Sequence, residues 1–289
     1  MKERYVVTNR TRLFCVEAGR GPLVLLIHGW PEFWWSWRHQ LPALAAAGYR
    51  AVAVDLPGYG RSDKPAVNYD EHWVNQCIAG LVHALGAERA VLVGHDWGGL
   101  LVWPFARRYP ELTSAVVGVN TPDLPRLPMP PVQLMRGLPR PNYIVQFQER
   151  GPAEWFLSAD VRAWLSAVFL GPATRKTEVF GEEVIDRYVE QFLPLGAVTP
   201  PLEYYRNMDR NWELAADLRE QVLAPALMVM AEHDPVLTPA LADGMEARVP
   251  NVHKVLIEDC GHWTQQEQPG RFNEVLIGWL DGLDRQLLE

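Results

Sequence analysis

The sequence predicts an α/β fold: a mostly parallel sheet with helices on both faces and a helical cap inserted into it. Three observations carry this reading. Short, uninterrupted apolar runs such as Leu23–Ile27, Ala51–Val54 and Ala226–Met230 read as strands buried on both faces, and they alternate with segments of helical period. From residue 122 to about residue 211 that rhythm stops, and Pro-rich loops alternate with helical stretches containing no buried strand. Polar residues able to do chemistry stand directly after the strands, where ligands bind in a parallel sheet.

In chain order, residues 4–8 and 12–18 read as short strands, and Gly19-Arg20-Gly21-Pro22 turns the chain into the buried run Leu23–Ile27. His28-Gly29-Trp30-Pro31 ends that strand and a helix-like segment follows to about Ala47. Strand Ala51–Val54 ends at Asp55 and a tight loop, Leu56–Ser62, whose two glycines serve a turn, since no Lys-Ser/Thr or immediate helix makes them a phosphate loop. A helix spans about Tyr69 to Leu85, the strand from Ala90 stops at Asp96, and helical period resumes through Tyr109. Ser114–Val119 is the next strand. The inserted segment offers helices near 153–170 and 182–192, after a stretch with seven prolines in residues 122–141. Strand Ala226–Met230, a helix near Pro239–Arg248, strand Lys254–Ile257 and a last helix from about Pro269 complete the sheet rhythm. The expected division is therefore a core of residues 1–121 and 213–289 and a cap of residues 122–212.

Composition narrows the function classes. The 289 residues suffice for one large domain with an insertion, and 48% hydrophobic with 21% charged residues describes an ordinary globular protein. A formal charge of −8 leaves no broad basic face for phosphates, so nucleic acid is excluded as a partner. Three distant cysteines, Cys15, Cys77 and Cys260, form neither a disulfide framework nor a zinc pattern. No signal peptide core and no run of eighteen apolar residues is present, so the expectation is a cytoplasmic protein with no membrane partner. Oligomeric state is not encoded in these features.

The chemistry centres on Gly94-His95-Asp96-Trp97-Gly98-Gly99. A strand, a sharp turn flanked by small residues and a helix is the layout of a nucleophile elbow with Asp in the Ser position; an Asp N-cap on an ordinary strand-to-helix loop is the plainer account. The other strand ends decide between them. Asp234 follows the strand at Ala226, His262 follows the last strand, and nucleophile, acid, His is the chain order of α/β-hydrolase triads. Asp123 is the rival acid, with the poorer flank. Asp259 stands too near His262 to orient it and is expected to cap the turn, His95 to point away from the nucleophile, and His28 to hold its own turn.

An Asp nucleophile changes the reaction. Ser attacking saturated carbon would leave an ether that water cannot cleave, whereas a carboxylate leaves an alkyl ester that His and water can hydrolyse. The oxyanion of that hydrolysis forms on the enzyme, and the backbone amides of Trp30 and Trp97 are expected to hold it. No cofactor or metal is required. The leaving group then separates two substrates. A halide needs only hydrogen-bond donors such as indoles, while an epoxide oxygen leaves as a basic alkoxide and calls for a proton donor such as tyrosine. The cap offers Tyr143, Tyr188, Tyr204 and Tyr205, and adjacent helical residues diverge by roughly 100°, so at most one of the last two can face the site.

These stretches resemble the soluble α/β-hydrolase-fold epoxide hydrolases over nearly the whole chain. The resemblance rests on His28-Gly29-Trp30-Pro31-Glu32, Gly94–Gly99, Tyr204–Trp212 and Glu258-Asp259-Cys260-Gly261-His262-Trp263-Thr264-Gln265, the last two being the specific ones. It implies Asp96 as nucleophile, Asp234 as acid, His262 as base, Tyr205 and Tyr143 as ring-opening donors, Trp30 as an oxyanion donor and a cis peptide before Pro31. The substrate implied is a small hydrophobic epoxide, hydrolysed with water to a vicinal diol, and the chain resembles compact bacterial-style members. Haloalkane dehalogenases share the first two stretches in part, so dehalogenation stays as the alternative, with a fold-retaining regulatory binding protein as a third reading. Fluoroacetate dehalogenation is weaker, because Trp97 stands where that family carries Arg. Pro104, inside the helix after Asp96, is expected to bend it.

Overall fold

The computed structural model describes residues 1–138 and 142–288; Pro139 and Pro141 of the Pro-rich stretch lie outside them. An eight-stranded sheet runs through the molecule in the order β1-β2-β4-β3-β5-β6-β7-β8. Its strands are β1 (Lys2–Thr8), β2 (Thr11–Gly19), β3 (Leu23–Ile27), β4 (Arg50–Val54), β5 (Ala90–His95), β6 (Thr113–Val119), β7 (Ala226–Ala231) and β8 (Val252–Ile257). β1 and β2 pair antiparallel at one edge, and every pairing from β4 to β8 is parallel. The buried central strands β3, β5, β6 and β7 carry the continuous apolar runs. Edge strand β8 is the more open one, with His253, Lys254 and Leu256 exposed and Ile257 alone fully buried.

Helices α1 (Gln40–Ala46), α2 (Glu71–Ala84) and α3 (Trp97–Arg108) connect the first strands, and α11 (Thr264–Glu267), α12 (Pro269–Asp281) and α13 (Arg285–Leu288) close the chain. Between β6 and β7 the described residues form only helical elements: α4 (Pro131–Arg136), α5 (Tyr143–Gln146), α6 (Pro152–Ala159), α7 (Val161–Phe169), α8 (Glu182–Phe192), α9 (Thr199–Arg206) and α10 (Met208–Leu214), with short 3-10 turns. Two apolar clusters, one on each face of the sheet, form the core, and the larger continues into the inserted helices through Trp164, Phe169 and Tyr204.

Two expectations change. The stretch 239–248 is two 3-10 turns, Pro239–Ala242 and Met245–Ala247, because Gly244 takes a left-handed φ of 69° between them. The stretch 153–170 breaks at Asp160, whose extended backbone and carboxylate cap α7 by accepting from the Ala163 amide at 2.9 Å. Helix α3 runs from Trp97 to Arg108 with Pro104 inside it, and the positive φ lies upstream, at Asp96. No described helix is long and apolar enough to cross a membrane.

Candidate active site

β5 ends at His95, and Asp96 turns the chain into α3 with φ 51° and ψ −117°, a conformation that L residues rarely adopt. The turn closes only because its neighbours are glycines. A Cβ at Gly98 would overlap the Ile27 carbonyl, and one at Gly29 would overlap the Asp96 side chain. Packed this closely, the loop after β3 brings the Trp30 amide onto Asp96 Oδ1 at 2.8 Å, and the Trp97 amide donates to the same carboxylate. The Trp30–Pro31 peptide is cis. Burial raises the Asp96 carboxyl above its ordinary range, opposed by His262, His95 and the two amides.

Asp234 and His262 arrive from the ends of β7 and β8. His262 Nδ1 donates to Asp234 Oδ2 at 2.7 Å, and its Nε2 faces Asp96 Oδ2 at 3.8 Å. Asp234 is 2% exposed and fully engaged: Oδ1 accepts from the Val236 and Leu237 amides at 2.8 and 3.0 Å, and Oδ2 also accepts from Asn120 Nδ2 at 2.7 Å. Burial alone would raise this carboxyl, yet His262 and these donors hold it below the usual range. Burial alone would lower His262, but the charge and hydrogen bond of Asp234, together with Asp96, carry it up to about 9. Both shifts favour an ion pair between the Asp234 carboxylate and the His262 imidazolium in this Asp234–His262–Asp96 row.

The inserted helices form the opposite wall. Tyr205, on α9, is 3% exposed; its ring packs edge-on to Trp97 and Trp30 with centroids 5.0 and 5.8 Å apart. Its hydroxyl accepts from the Trp97 indole and is hydrogen-bonded to Tyr143. Tyr143, on α5, reaches solvent along one side, 42% exposed, and stacks toward Trp30 at 6.4 Å. Burial and the charge of Asp96 push Tyr143 up to about 12, and burial with Tyr143 and Asp96 raises Tyr205 further, so both hydroxyls keep their protons. Tyr204 turns away and donates to the Pro57 carbonyl at 2.7 Å, while Tyr188 donates to Gln266 Oε1 at 2.9 Å. A cavity of about 1210 Å³ opens over Asp96, Tyr143, Tyr205 and His262, walled mainly by apolar and aromatic side chains.

Other candidates go elsewhere. Asp123 is held by Arg107 at 2.6 and 2.9 Å and by Arg248 at 2.9 Å, which leaves no contact with His262. Asp259 does not cap its turn; it is exposed and accepts from Arg175 Nε at 2.8 Å. Asp55, pushed by burial to about 7, accepts from the Trp34 and Arg61 amides at 2.7 and 2.8 Å and so ties two loops together. His28 accepts from the Leu56 amide at 3.0 Å and lies 2.8 Å from the Gly29 carbonyl, holding its turn. The ring nitrogens of His95 face Glu32 Oε2 at 2.7 Å and the His262 carbonyl at 2.8 Å, so His95 clamps the backbone of His262 rather than reaching the Asp96 side chain.

Sequence reasoning missed the residues that support this row. Asn120, at φ 60° after β6, joins Asp234 to Thr264, whose hydroxyl donates to Asn120 Oδ1 at 2.6 Å. Glu32, fully buried, gathers His95, Gln265, Gln266 and the Gly29 amide. The available signal was position alone: Asn120 stands at the end of a buried strand, as Asp96 and Asp234 do.

Comparison with known proteins gives one family. The profile of the alpha/beta hydrolase fold matches residues 22–269. Epoxide hydrolase A of Mycobacterium tuberculosis is 39% identical, covering 98% of each chain. Bifunctional epoxide hydrolase 2 of Rattus norvegicus is 40% identical over 93% of this chain, which spans only about half, 53%, of that relative. Among solved structures, epoxide hydrolase A from Mycobacterium thermoresistibile superposes with a TM-score of 0.90 at 37% identity, covering 98% of this chain and 99% of the other. An epoxide hydrolase from an endophytic Streptomyces gives the same TM-score, 0.90, and the same identity, 37%, over 97% of this chain and 95% of the other.

Proposed function

The chain belongs to the α/β-hydrolase-fold epoxide hydrolases, and from that premise we propose that it converts a hydrophobic epoxide and water to a vicinal diol through an ester on Asp96. The observation that carries the reading is the pair of protonated hydroxyls, Tyr143 and Tyr205, across the cavity from a carboxylate with one oxygen held and the other free to attack. Asp96 Oδ2 displaces the ring oxygen in line at carbon, and the departing alkoxide, more basic than a phenolate, takes its proton from a tyrosine.

Ester formation then changes His262. With the Asp96 charge gone, one of the influences that raises its pKa is lost, and the imidazolium gives up its proton more readily, restoring the one the tyrosine has lost. His262, oriented by Asp234, removes a proton from water as that water attacks the Asp96 carbonyl carbon. The oxyanion develops on Oδ1, where the Trp30 and Trp97 amides already point. Collapse releases the diol with the former Oδ2, and the water oxygen remains in Asp96. No cofactor or metal enters this scheme.

Residues 122–212 act in this proposal as a cap over a core of residues 1–121 and 213–289, supported by the described residues between β6 and β7, whose regular elements are all helical. A cytoplasmic setting is part of the same reading and draws on three free, buried cysteines. Haloalkane dehalogenation is the weaker alternative, because the Trp97 indole is engaged with Tyr205 instead of being free for a halide. A single turnover of styrene oxide in heavy-oxygen water tests the scheme. Label is expected in the Asp96 peptide and not in the first diol; label in the first diol alone means direct attack by water and overturns the ester. Halide release from a haloalkane panel without diol formation overturns the epoxide reading itself.

A further inference from the structure

The cavity over Asp96 is larger and more one-sided in charge than ring opening requires. Its 1210 Å³ exceeds the roughly 300–1,000 Å³ of ordinary small-molecule sites, and among the described residues no Lys or Arg lines it. Beyond the reacting groups, its charged lining residues are Glu149 and Asp160, and both are solvent-exposed, so they stand where the cavity meets water. Glu149 follows α5 and Asp160 separates α6 from α7; on the helix between them the rings of Trp155 and Phe156 also line the opening, 74% and 64% exposed.

Neighbouring cations do not neutralise this rim. Arg150 is paired with Glu203, and Arg162 with Asp186. Neither Glu149 nor Asp160 has an ion-pair partner among the described residues, and the amide of Ala163 that Asp160 accepts from leaves its charge in place. A substrate long enough to bring its far end to Trp155 meets apolar surface bordered by two carboxylates and, among the described residues, no cation.

We propose that Glu149 and Asp160 make this an enzyme for bulky, uncharged hydrophobic epoxides and select against epoxides that carry a carboxylate tail. The inference rests on the epoxide reading above and adds the substrate class. Two like charges within several ångströms of a carboxylate in screened water give a discrimination of about tenfold, which falls as salt shortens the Debye length.

The test compares kcat/KM for 10,11-epoxyundecanoic acid and its primary amide, which share a carbon skeleton, at low ionic strength. The amide is expected to react about tenfold faster. The acid-to-amide ratio should rise toward one in Glu149→Gln/Asp160→Asn, whose Asn keeps the cap on α7, and in roughly 0.5 M salt. It should stay low in Glu149→Asp, which keeps the charge. Equal rates for acid and amide in the active wild-type enzyme overturn the proposal, as does a ratio that the double variant leaves unmoved. Failure to hydrolyse acid, amide and styrene oxide alike overturns the underlying epoxide reading, a distinguishable outcome.

Discussion

Asp234, buried behind His262, and Tyr205 belong to opposite walls of the same cavity and are held in different ways. Asp234 sits at the end of β7 with four hydrogen-bond donors on its two oxygens, two of them backbone amides. Tyr205 is held by rings: Trp97, Trp30, Phe147 and Tyr143 surround it with centroids 5.0 to 5.9 Å away, and its polar contacts are Trp97 and Tyr143. The sheet wall fixes charges with directional bonds on rigid elements. The inserted wall offers hydroxyls that, in the proposed reaction, follow a leaving oxygen, and aromatic packing is enough to present them.

The sharpest break of this contrast lies at the nucleophile. Asp96→Asn keeps size and the Trp30 contact but removes the attacking charge, and turnover should fall by about 10⁵-fold or more, measured as diol formation. His262→Gln should leave ring opening in place and stop hydrolysis, so the protein gains the mass of one epoxide per chain. No mass gain in His262→Gln would mean that the sheet wall does not act in two separable steps.

Asp234→Asn probes the directional wall with a smaller effect. Loss of the carboxylate should cost about 10²–10⁴ in kcat, as removing the orienting acid of a triad does. It also has a signature in stability. His262 has a folded pKa of about 9, above its ordinary value of 6.5, so its ion pairing stabilises the fold fully below about pH 6.5 and that contribution disappears as pH rises through 9. The wild-type Tm should therefore drop by roughly 5 °C between pH 6.5 and 9.5 from this group, and Asp234→Asn should flatten that drop. A drop of equal size in the variant would show that the row is not what responds.

The same contrast explains what was legible in the chain. Strands β3, β5 and β7 could be read because both of their faces are buried, which leaves a largely apolar run with a candidate site residue within a few positions of its end. The helix expected over 239–248 could not be corrected in advance, since the left-handed backbone of Gly244 is set by the turn it occupies. Asp96, Asp234 and His262 stood out through their places after strands. Asn120, Thr264 and Glu32 did not, because a residue that supports another through a tertiary hydrogen bond leaves no spacing signal. Tyr143 and Tyr205 emerged from the demand of an alkoxide for a donor and from resemblance, and periodicity could say only that at most one of Tyr204 and Tyr205 faces the site.

Replacing the hydroxyls tests the ring-held wall. Tyr205→Phe and Tyr143→Phe should each lower ring opening by about 10–100-fold and leave ester hydrolysis unchanged, read as the rates of ester appearance and decay in rapid-quench mass measurements. A change in decay would place a tyrosine in the hydrolytic step and erase the division between the walls.

Trp97 is the residue that belongs to both walls, and it offers the finest test. Its backbone amide follows Asp96 and donates to the carboxylate, while its indole donates to the Tyr205 hydroxyl. Trp97→Phe keeps the amide and most of the ring area but removes the indole N–H, so one lone pair of Tyr205 loses its donor and the hydroxyl is free to rotate. Ring opening should slow by roughly fivefold, the cost of one neutral hydrogen bond of about 1 kcal/mol, with ester hydrolysis intact. Equal slowing of both steps would mean that Trp97 acts through packing around Asp96, and that the two walls meet through ring contact alone.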